Sequence, residues 1–266
     1  MIVNVLSIAG SDPSGGAGIQ ADIKAISANG AFAMAAVTAL TAQNTQGVSG
    51  VHLVPPEFVS DQIEAVFADI HVAAIKIGMI ANAQIASAVA KSISAHPEVP
   101  VILDPVMIAK GGAPLLAADA IATLREKLLP LATVLTPNLP EAAHLLDRAP
   151  AATRAEMEAQ GRALCTLGPK AVLMKGGHLD ATQSPDVLVT PERAQWFEAS
   201  RTLTQNTHGT GCTLSSALAA HIGKGASLPE AVTAAKAYVS AAISGADTLS
   251  VGKGHGPTHH FAEFYE

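Results

Sequence analysis

The chain has 266 residues, 49% of them hydrophobic, and a formal net charge of −6. That is enough apolar material for a large core without disulfide or metal staples. The acidic balance leaves no basic stripe to follow a nucleic-acid backbone, and no apolar run is long enough to cross a bilayer without polar interruption. Two distant cysteines, Cys165 and Cys212, and an N-terminus with no basic leader fit a cytoplasmic protein with free thiols. Residues 2–9 form a nearly continuous apolar run, the pattern of a parallel strand covered on both faces. It ends in a glycine-rich loop, 10–18, and residues 19–28 follow with helical spacing. The loop lacks both G-x-G-x-x-G spacing and a closing Gly-Lys-Ser/Thr, so it is neither a dinucleotide fingerprint nor a Walker loop.

Residues 32–41 predict a second strand leading into Gln43, Asn44 and Thr45. A helix over 56–70 and a short strand over 73–77 follow, the strand ending at Gly78 and Met79. Asn82 is placed to N-cap a helix running to about 95. The apolar strand 99–103 stops abruptly at Asp104, and a helix lies within 115–129. Strand 133–136 runs into Asn138 and Glu141 and a helix through 146; helix 154–167 and strand 171–174 follow, the strand ending at Lys175. Short β-like pieces at 186–190, 195–198 and 202–204 fit antiparallel edge strands. Two helices close the chain, one starting near Cys212 and one over 228–246 with Val232, Ala235, Val239 and Ala242 on one face. The repeated strand–loop–helix order predicts one α/β domain over 1–266, with a mainly parallel sheet and helices on both faces.

In such a sheet the loops after the strands converge on one edge, where open α/β sheets bind ligands. Asp12, Gln43, Asp104, Asn138, Glu141 and Lys175 all follow predicted strands. Asp104 reads either as a turn-initiating Asp-Pro or as an acid for Mg²⁺, and Asn138 with Glu141 either as a capping box or as part of that metal site. Lys175 reads as a solvated lysine or as a phosphate contact. The stretch 206–216 passes through Gly209 and Gly211 into a helix start, whose free N–H groups and dipole suit an anion. Cys212 at that start reads either as a thiol whose pKa the helix start lowers or as a small buried apolar residue in an ordinary glycine-containing loop. Cys165 reads as core, and the C-terminal His255, His259 and His260 lack acidic or cysteine companions at metal-ligand spacing. The segment 107–114, with Gly111 and Gly112, is expected to close over a substrate.

Taken together, these motifs make the chain resemble the hydroxymethylpyrimidine/phosphomethylpyrimidine kinases of thiamine biosynthesis, in the ribokinase-like superfamily. The carriers are residues 9–22, 42–45, 76–79, 103–107, 136–142, 174–178, 206–215 and 252–261, spread over nearly the whole chain. The resemblance implies ATP- and Mg²⁺-dependent phosphorylation of 4-amino-5-hydroxymethyl-2-methylpyrimidine and then of its monophosphate, in a homodimer. It implies an anion hole over Gly209, Thr210, Gly211 and Cys212, with Cys212 in the catalytic position. Asp104 and Glu141 would serve the metal, and Lys175, Thr207, His208 and Asn138 the nucleotide. Gly10, Asp22, Gln43, Met79 and Val106 would line the pyrimidine pocket, where the Gln43 carboxamide matches an aminopyrimidine edge as Gln matches adenine. The alternatives are a pyridoxal-type kinase on the same fold and a nucleotide-sensing protein without catalysis.

Overall fold

The apolar run at the N-terminus becomes an inner strand of a nine-stranded sheet. The computed structural model describes residues 1–107, 118–177, 179 and 182–265; the expected closing segment beyond Met107 lies outside them. In chain order the strands are β1 (Asn4–Ser11), β2 (Phe32–Asn44), β3 (Gly47–Leu53), β4 (Val72–Ile77), β5 (Val101–Leu103), β6 (Val134–Leu135), β7 (Ala171–Lys175), β8 (Asp186–Val189) and β9 (Ala194–Phe197). Across the sheet they run β3-β2-β1-β4-β5-β6-β7-β8-β9, parallel from β2 to β7 and antiparallel at both edges. Leu6 and Ile8 of β1 face one core and Val5 the other, which is why the run is apolar without alternation.

Helices α1 (Gly18–Ala28), α7 (Thr210–Gly223) and α8 (Leu228–Ser244) cover one face. On the other lie α2 (Pro56–Asp69), α3 (Ala83–Ile93), α4 (Ala118–Thr123), α5 (Leu139–Leu146) and α6 (Arg154–Cys165). Val232, Ala235, Val239 and Ala242 are all buried, as their spacing predicts. Asn82 caps α3, its Oδ1 accepting from the Ile85 N–H at 2.8 Å.

One edge strand is unanticipated and one edge expectation fails, each for a physical reason. β3 is absent from the pattern reading because Gly47 and Gly50 break its alternation, yet it pairs antiparallel with β2. Residues 202–204 form no strand: the Thr202 and Thr204 hydroxyls bond to Ser244 and Asp247 near the end of α8. α7 starts at Thr210, two residues earlier than expected. From β1 the chain crosses one way to β2 and later the other way to β4, so the strand order reverses at the β1/β4 boundary. Ligand crevices form at such reversals, beyond the carboxyl ends of the strands.

Candidate active site

The mouth of α7 lies in that crevice. Gly209 precedes the helix with φ 79°, a left-handed conformation that favours glycine, and an added Cβ would collide with the Gly16 carbonyl oxygen. Its own carbonyl accepts from the Thr213 N–H at 2.9 Å and the Thr213 hydroxyl at 2.8 Å, which fixes the first turn. No side chain caps this N-terminus. At Gly211 an added Cβ would stand 3.4 Å from both Asp104 Oδ2 and Lys175 Nζ. The glycine therefore brings the first turn of the helix directly against these charges.

Asp104 directly follows β5 and is almost wholly buried. Its Oδ1 accepts from Lys175 Nζ at 2.9 Å and from the Thr136 hydroxyl at 3.2 Å. Burial alone would push its carboxyl up; the Lys175 and Lys76 ammonium groups, with the hydrogen bonds from Lys175 and Thr136, outweigh burial and hold it below the usual range. Glu141 Oε2 lies 3.9 Å from the same ammonium and also accepts from the Asn138 N–H at 2.8 Å. Asn138 Oδ1 accepts in return from the Glu141 N–H, so the capping box is real and also aims the acid into the crevice. Burial, reinforced by the neighbouring Asp104 charge against the pull of Lys175, raises Glu141 to about 7. Lys175 is no solvated surface lysine: it is largely buried, and its two acidic neighbours raise its pKa despite burial.

Cys212 departs from expectation. The helix start does not lower its pKa. Burial raises it to about 11, aided by the Asp22 and Asp104 charges, although Lys76 and a hydrogen bond from the Gly18 backbone pull the other way. The half-turn dipole of a helix end is worth less than the solvation the sulfur has lost. Asp22 does not line the crevice either. It is fully buried on α1, bonded at 2.8 Å through each oxygen to Lys76 Nζ, and it accepts from the Ser7 and Ser216 hydroxyls at 2.6 and 2.8 Å.

Two cavities meet at the helix mouth. One, of about 330 Å³, is lined by Gly10, Gln43, Met79 and Val106 together with Asp104, Glu141 and Cys212. The other, of about 360 Å³, runs from Lys175 toward β8 and α8. Asn138, Lys175, Thr207, Thr210 and Gly211 belong to both. His208 lines the first cavity and not the second, because its ring turns toward Asp12.

A family model described as phosphomethylpyrimidine kinase matches residues 12–259. The chain belongs to the phosphomethylpyrimidine kinase family. The hydroxymethylpyrimidine/phosphomethylpyrimidine kinase of Salmonella typhimurium is 56% identical over 259 residues, covering 97% of either chain. Among solved structures, a phosphomethylpyrimidine kinase from Clostridium difficile superposes with a TM-score of 0.81 at 41% identity, over 91% of this chain and 99% of that one. An ADP complex of Bacillus subtilis pyridoxal kinase superposes at 0.91 with 36% identity over 99% of both.

Within this phosphomethylpyrimidine kinase family chain, sequence reasoning missed most of the second cavity. Ser184, Arg201, Lys236 and Ile243 line it. Lys236 Nζ bonds to Asp186 and to the Ser184 carbonyl at 2.8 Å, and Asp186 Oδ1 accepts from the Gly176 N–H at 3.0 Å. That pair anchors the turn just after Lys175. One signal was available: Lys236 sits at helical spacing among apolar residues of α8, where an unpaired lysine would be costly.

Proposed function

We propose that this protein transfers the γ-phosphoryl of ATP to 4-amino-5-hydroxymethyl-2-methylpyrimidine and then to the resulting monophosphate, for thiamine biosynthesis. The observation that carries this reading is the shared wall: two cavities, of about 330 and 360 Å³, open on the same helix mouth, with Lys175 and Gly211 in both. A donor and an acceptor held on opposite sides of one anion-binding turn are positioned for in-line transfer, and phosphoryl transfer asks mainly for alignment and charge stabilisation. The family membership and the printed activity of the Salmonella relative agree with it.

In this reading the N–H groups of Gly209, Gly211 and Cys212 receive the migrating phosphoryl oxygens, while that of Thr210 donates to the Thr207 carbonyl at 3.4 Å, and Lys175 neutralises charge on the phosphoryl. Lys175, Asn138 and Thr207 contact the nucleotide phosphates, with Lys236 and Arg201 deeper in the same cavity. Gln43 meets the aminopyrimidine edge, and Met79 and Val106 give apolar walls to the ring and its methyl group. Gly10 leaves room for that wall: an added Cβ would press on the Met79 sulfur at 2.8 Å. Cys212 stands beside the acceptor, and its thiolate form takes the proton of the alcohol; the phosphate acceptor of the second step is already ionised and needs no base.

Mg²⁺ fits the acid pair. Asp104 and Glu141 share one ammonium, and burial together with Asp104's charge pushes Glu141 up to about 7, the signature of a site short of positive charge. Two carboxylates at a crevice suit a cation that keeps several waters and shares phosphate oxygens. Asp104 and Glu141 would hold it, and when bound it screens the charge on the transferring group.

The strong superposition on a pyridoxal kinase keeps a second acceptor class in view. An ADP-release assay with the pyrimidine alcohol, its monophosphate and pyridoxal decides between them. Turnover of both pyrimidines with kcat/KM above that for pyridoxal is expected; a preference for pyridoxal would replace the reading, and no ADP with any acceptor would leave a nucleotide-binding protein. Leu40, Val51 and Leu53 of the β2–β3 hairpin and Phe58 of α2 are exposed apolar residues that fit a homodimer surface. Its check is the mass in solution. Free Cys165 and Cys212 suit the reducing cytoplasm.

A further inference from the structure

The stretches 42–45 and 252–261, far apart in the chain, meet in the fold. β1 pairs with β2 as far as Ser11 opposite Leu40. Beyond Leu40 the hairpin of β2 and β3 projects past β1 as a two-stranded ribbon, and Gln43 lies near its tip. A ribbon of two strands is marginal on its own in water, so the place of Gln43 depends on what holds the ribbon at each end. At the root, the Thr41 hydroxyl donates to the Ser11 carbonyl at 2.8 Å.

The C-terminal segment holds the tip. The His255 N–H donates to the Thr45 carbonyl at 2.9 Å, and the Gly254 N–H donates to the Thr45 hydroxyl at 3.1 Å. The same segment then turns to the residues that lead into Gly209. The Gly256 N–H donates to Asn206 Oδ1 at 3.1 Å, and the Gly256 carbonyl accepts from the His208 N–H at 3.0 Å. Asn206 is pinned from its other end, where Nδ2 donates to Asp247 Oδ1 at 2.7 Å. Residues 254–256 thus tie the tip that carries Gln43 to the approach to the helix mouth.

The contact is close because two of these residues lack a side chain. An added Cβ at Gly254 would collide with the Thr45 carbonyl oxygen, and one at Gly256 with Asn206 Oδ1. Gly254 does not adopt a left-handed φ, so a side chain is excluded there by contact and not by backbone strain. Of the two partners the ribbon is the softer, because Asp247 pins the other. Any pressure at Gly254 therefore displaces Thr45, and Gln43 two residues before it. A displacement of about 1 Å in a substrate-positioning group can cost on the order of 100-fold.

We propose that residues 254–256 form a clasp that sets the distance between Gln43 and the mouth of α7, with Thr45 and Gly254 as positioning residues for the pyrimidine acceptor. The inference rests on the pyrimidine reading of the first cavity, and a double-mutant cycle separates the two. Gly254→Ala is expected to raise KM for 4-amino-5-hydroxymethyl-2-methylpyrimidine at least about tenfold, while KM for ATP stays within about twofold. A loss of folded protein alone would lower the apparent kcat and leave both KM values in place. Gln43→Ala is expected to raise KM for the pyrimidine as well. In that background Gly254→Ala adds under about twofold, since the group it displaces is gone. Thr45→Ala removes the hydroxyl that receives the Gly254 N–H and serves if Gly254→Ala does not fold. It is expected to raise the same KM about threefold, with the same non-additivity. Effects that multiply in full with Gln43→Ala, equal rises in KM for ATP and the pyrimidine, or no rise in either, overturn the clasp. If Gln43→Ala by itself leaves KM for the pyrimidine unchanged, the pyrimidine reading of the cavity fails and the clasp with it.

Discussion

Two lysine–aspartate pairs lie beneath the mouth of α7, and they differ in access to the crevice. Asp22 and Lys76 have no exposed side-chain surface, and Ser7 and Ser216 satisfy the carboxylate further. Lys175 and Asp104 are bonded at a similar distance, 2.9 Å, but Lys175 keeps 15% of its side chain exposed and also faces Glu141. The closed pair cannot rearrange without uncovering a charge, so it serves as a fixed electrostatic floor. The open pair has an extra acid, a route to both cavities and no closed shell, so its lysine can exchange a carboxylate for a phosphate at small cost. Burial of a salt bridge is therefore a poor guide to role; what matters is whether its partners are complete.

The largest effect that tests this contrast is on stability. Lys76→Met leaves Asp22 buried without its counter-charge and is expected to cost about 3–5 kcal/mol in urea denaturation. Lys175→Met is expected to cost less there, under about 3 kcal/mol, because the Lys76 ammonium and the Thr136 hydroxyl still attend the Asp104 carboxylate. Similar losses for the two variants would erase the distinction. The order reverses in catalysis: Lys175→Met is expected to lower kcat by about 100- to 1000-fold, or about 2.7–4 kcal/mol. A kcat within tenfold of native would remove Lys175 from the phosphoryl path.

The open pair was legible in the sequence and the closed one was not. Asp104 directly follows an apolar strand and Lys175 ends one, and there a charged residue announces itself against its surroundings. Only the family resemblance places Asp22 in the pocket; its neighbours Ala21, Ala25 and Ile26 put it on the buried face of α1 instead. The usable signal was Lys76, a lysine within the buried run Val72–Ile77 that must have a partner. The second cavity was illegible for another reason. Ser184, Arg201 and Lys236 come from an edge segment and a helix, and only the antiparallel turn of β8 and β9 brings them together. The state of Cys212 also escaped sequence reasoning, since local motif argues for a lowered pKa and only tertiary burial reverses it.

Cys212 sharpens the comparison at the point between the two pairs. With its pKa raised to about 11, the thiolate fraction below that value grows about tenfold per pH unit. If Cys212 takes the alcohol proton, kcat/KM for the pyrimidine alcohol rises with pH between about 7 and 9. The monophosphate step stays flat over that range, once its acceptor oxygen is ionised. Cys212→Ser is expected to reduce the alcohol step about 10- to 100-fold and the monophosphate step under about threefold. Equal reductions would falsify base action by the sulfur.

A third buried polar group is closed without any counter-charge, and its expected effect is the smallest. His260 Nε2 lies 3.1 Å from the Thr213 hydroxyl, which donates to the Gly209 carbonyl, so the neutral imidazole donates to Thr213 and braces the helix mouth. The Tyr238 hydroxyl donates to its carbonyl at 2.8 Å and holds the C-terminal segment down. Burial, with Lys24 and His259 nearby, lowers its pKa from 6.5 to about 3. The unfolded chain therefore binds this proton first as pH falls, and stability attributable to His260 is complete above about 6.5 and drains away between there and 3. By pH 5 the loss is about 1.5 pH units at about 1.36 kcal/mol each, or about 2 kcal/mol. His260→Gln keeps an N–H donor and removes the titration, so urea denaturation at pH 7 and pH 5 is expected to differ by about 2 kcal/mol less than in the native protein. The same pH difference in both proteins would mean that His260 protonates in place, and that the segment it anchors opens to water far more readily than the fully enclosed Asp22–Lys76 floor.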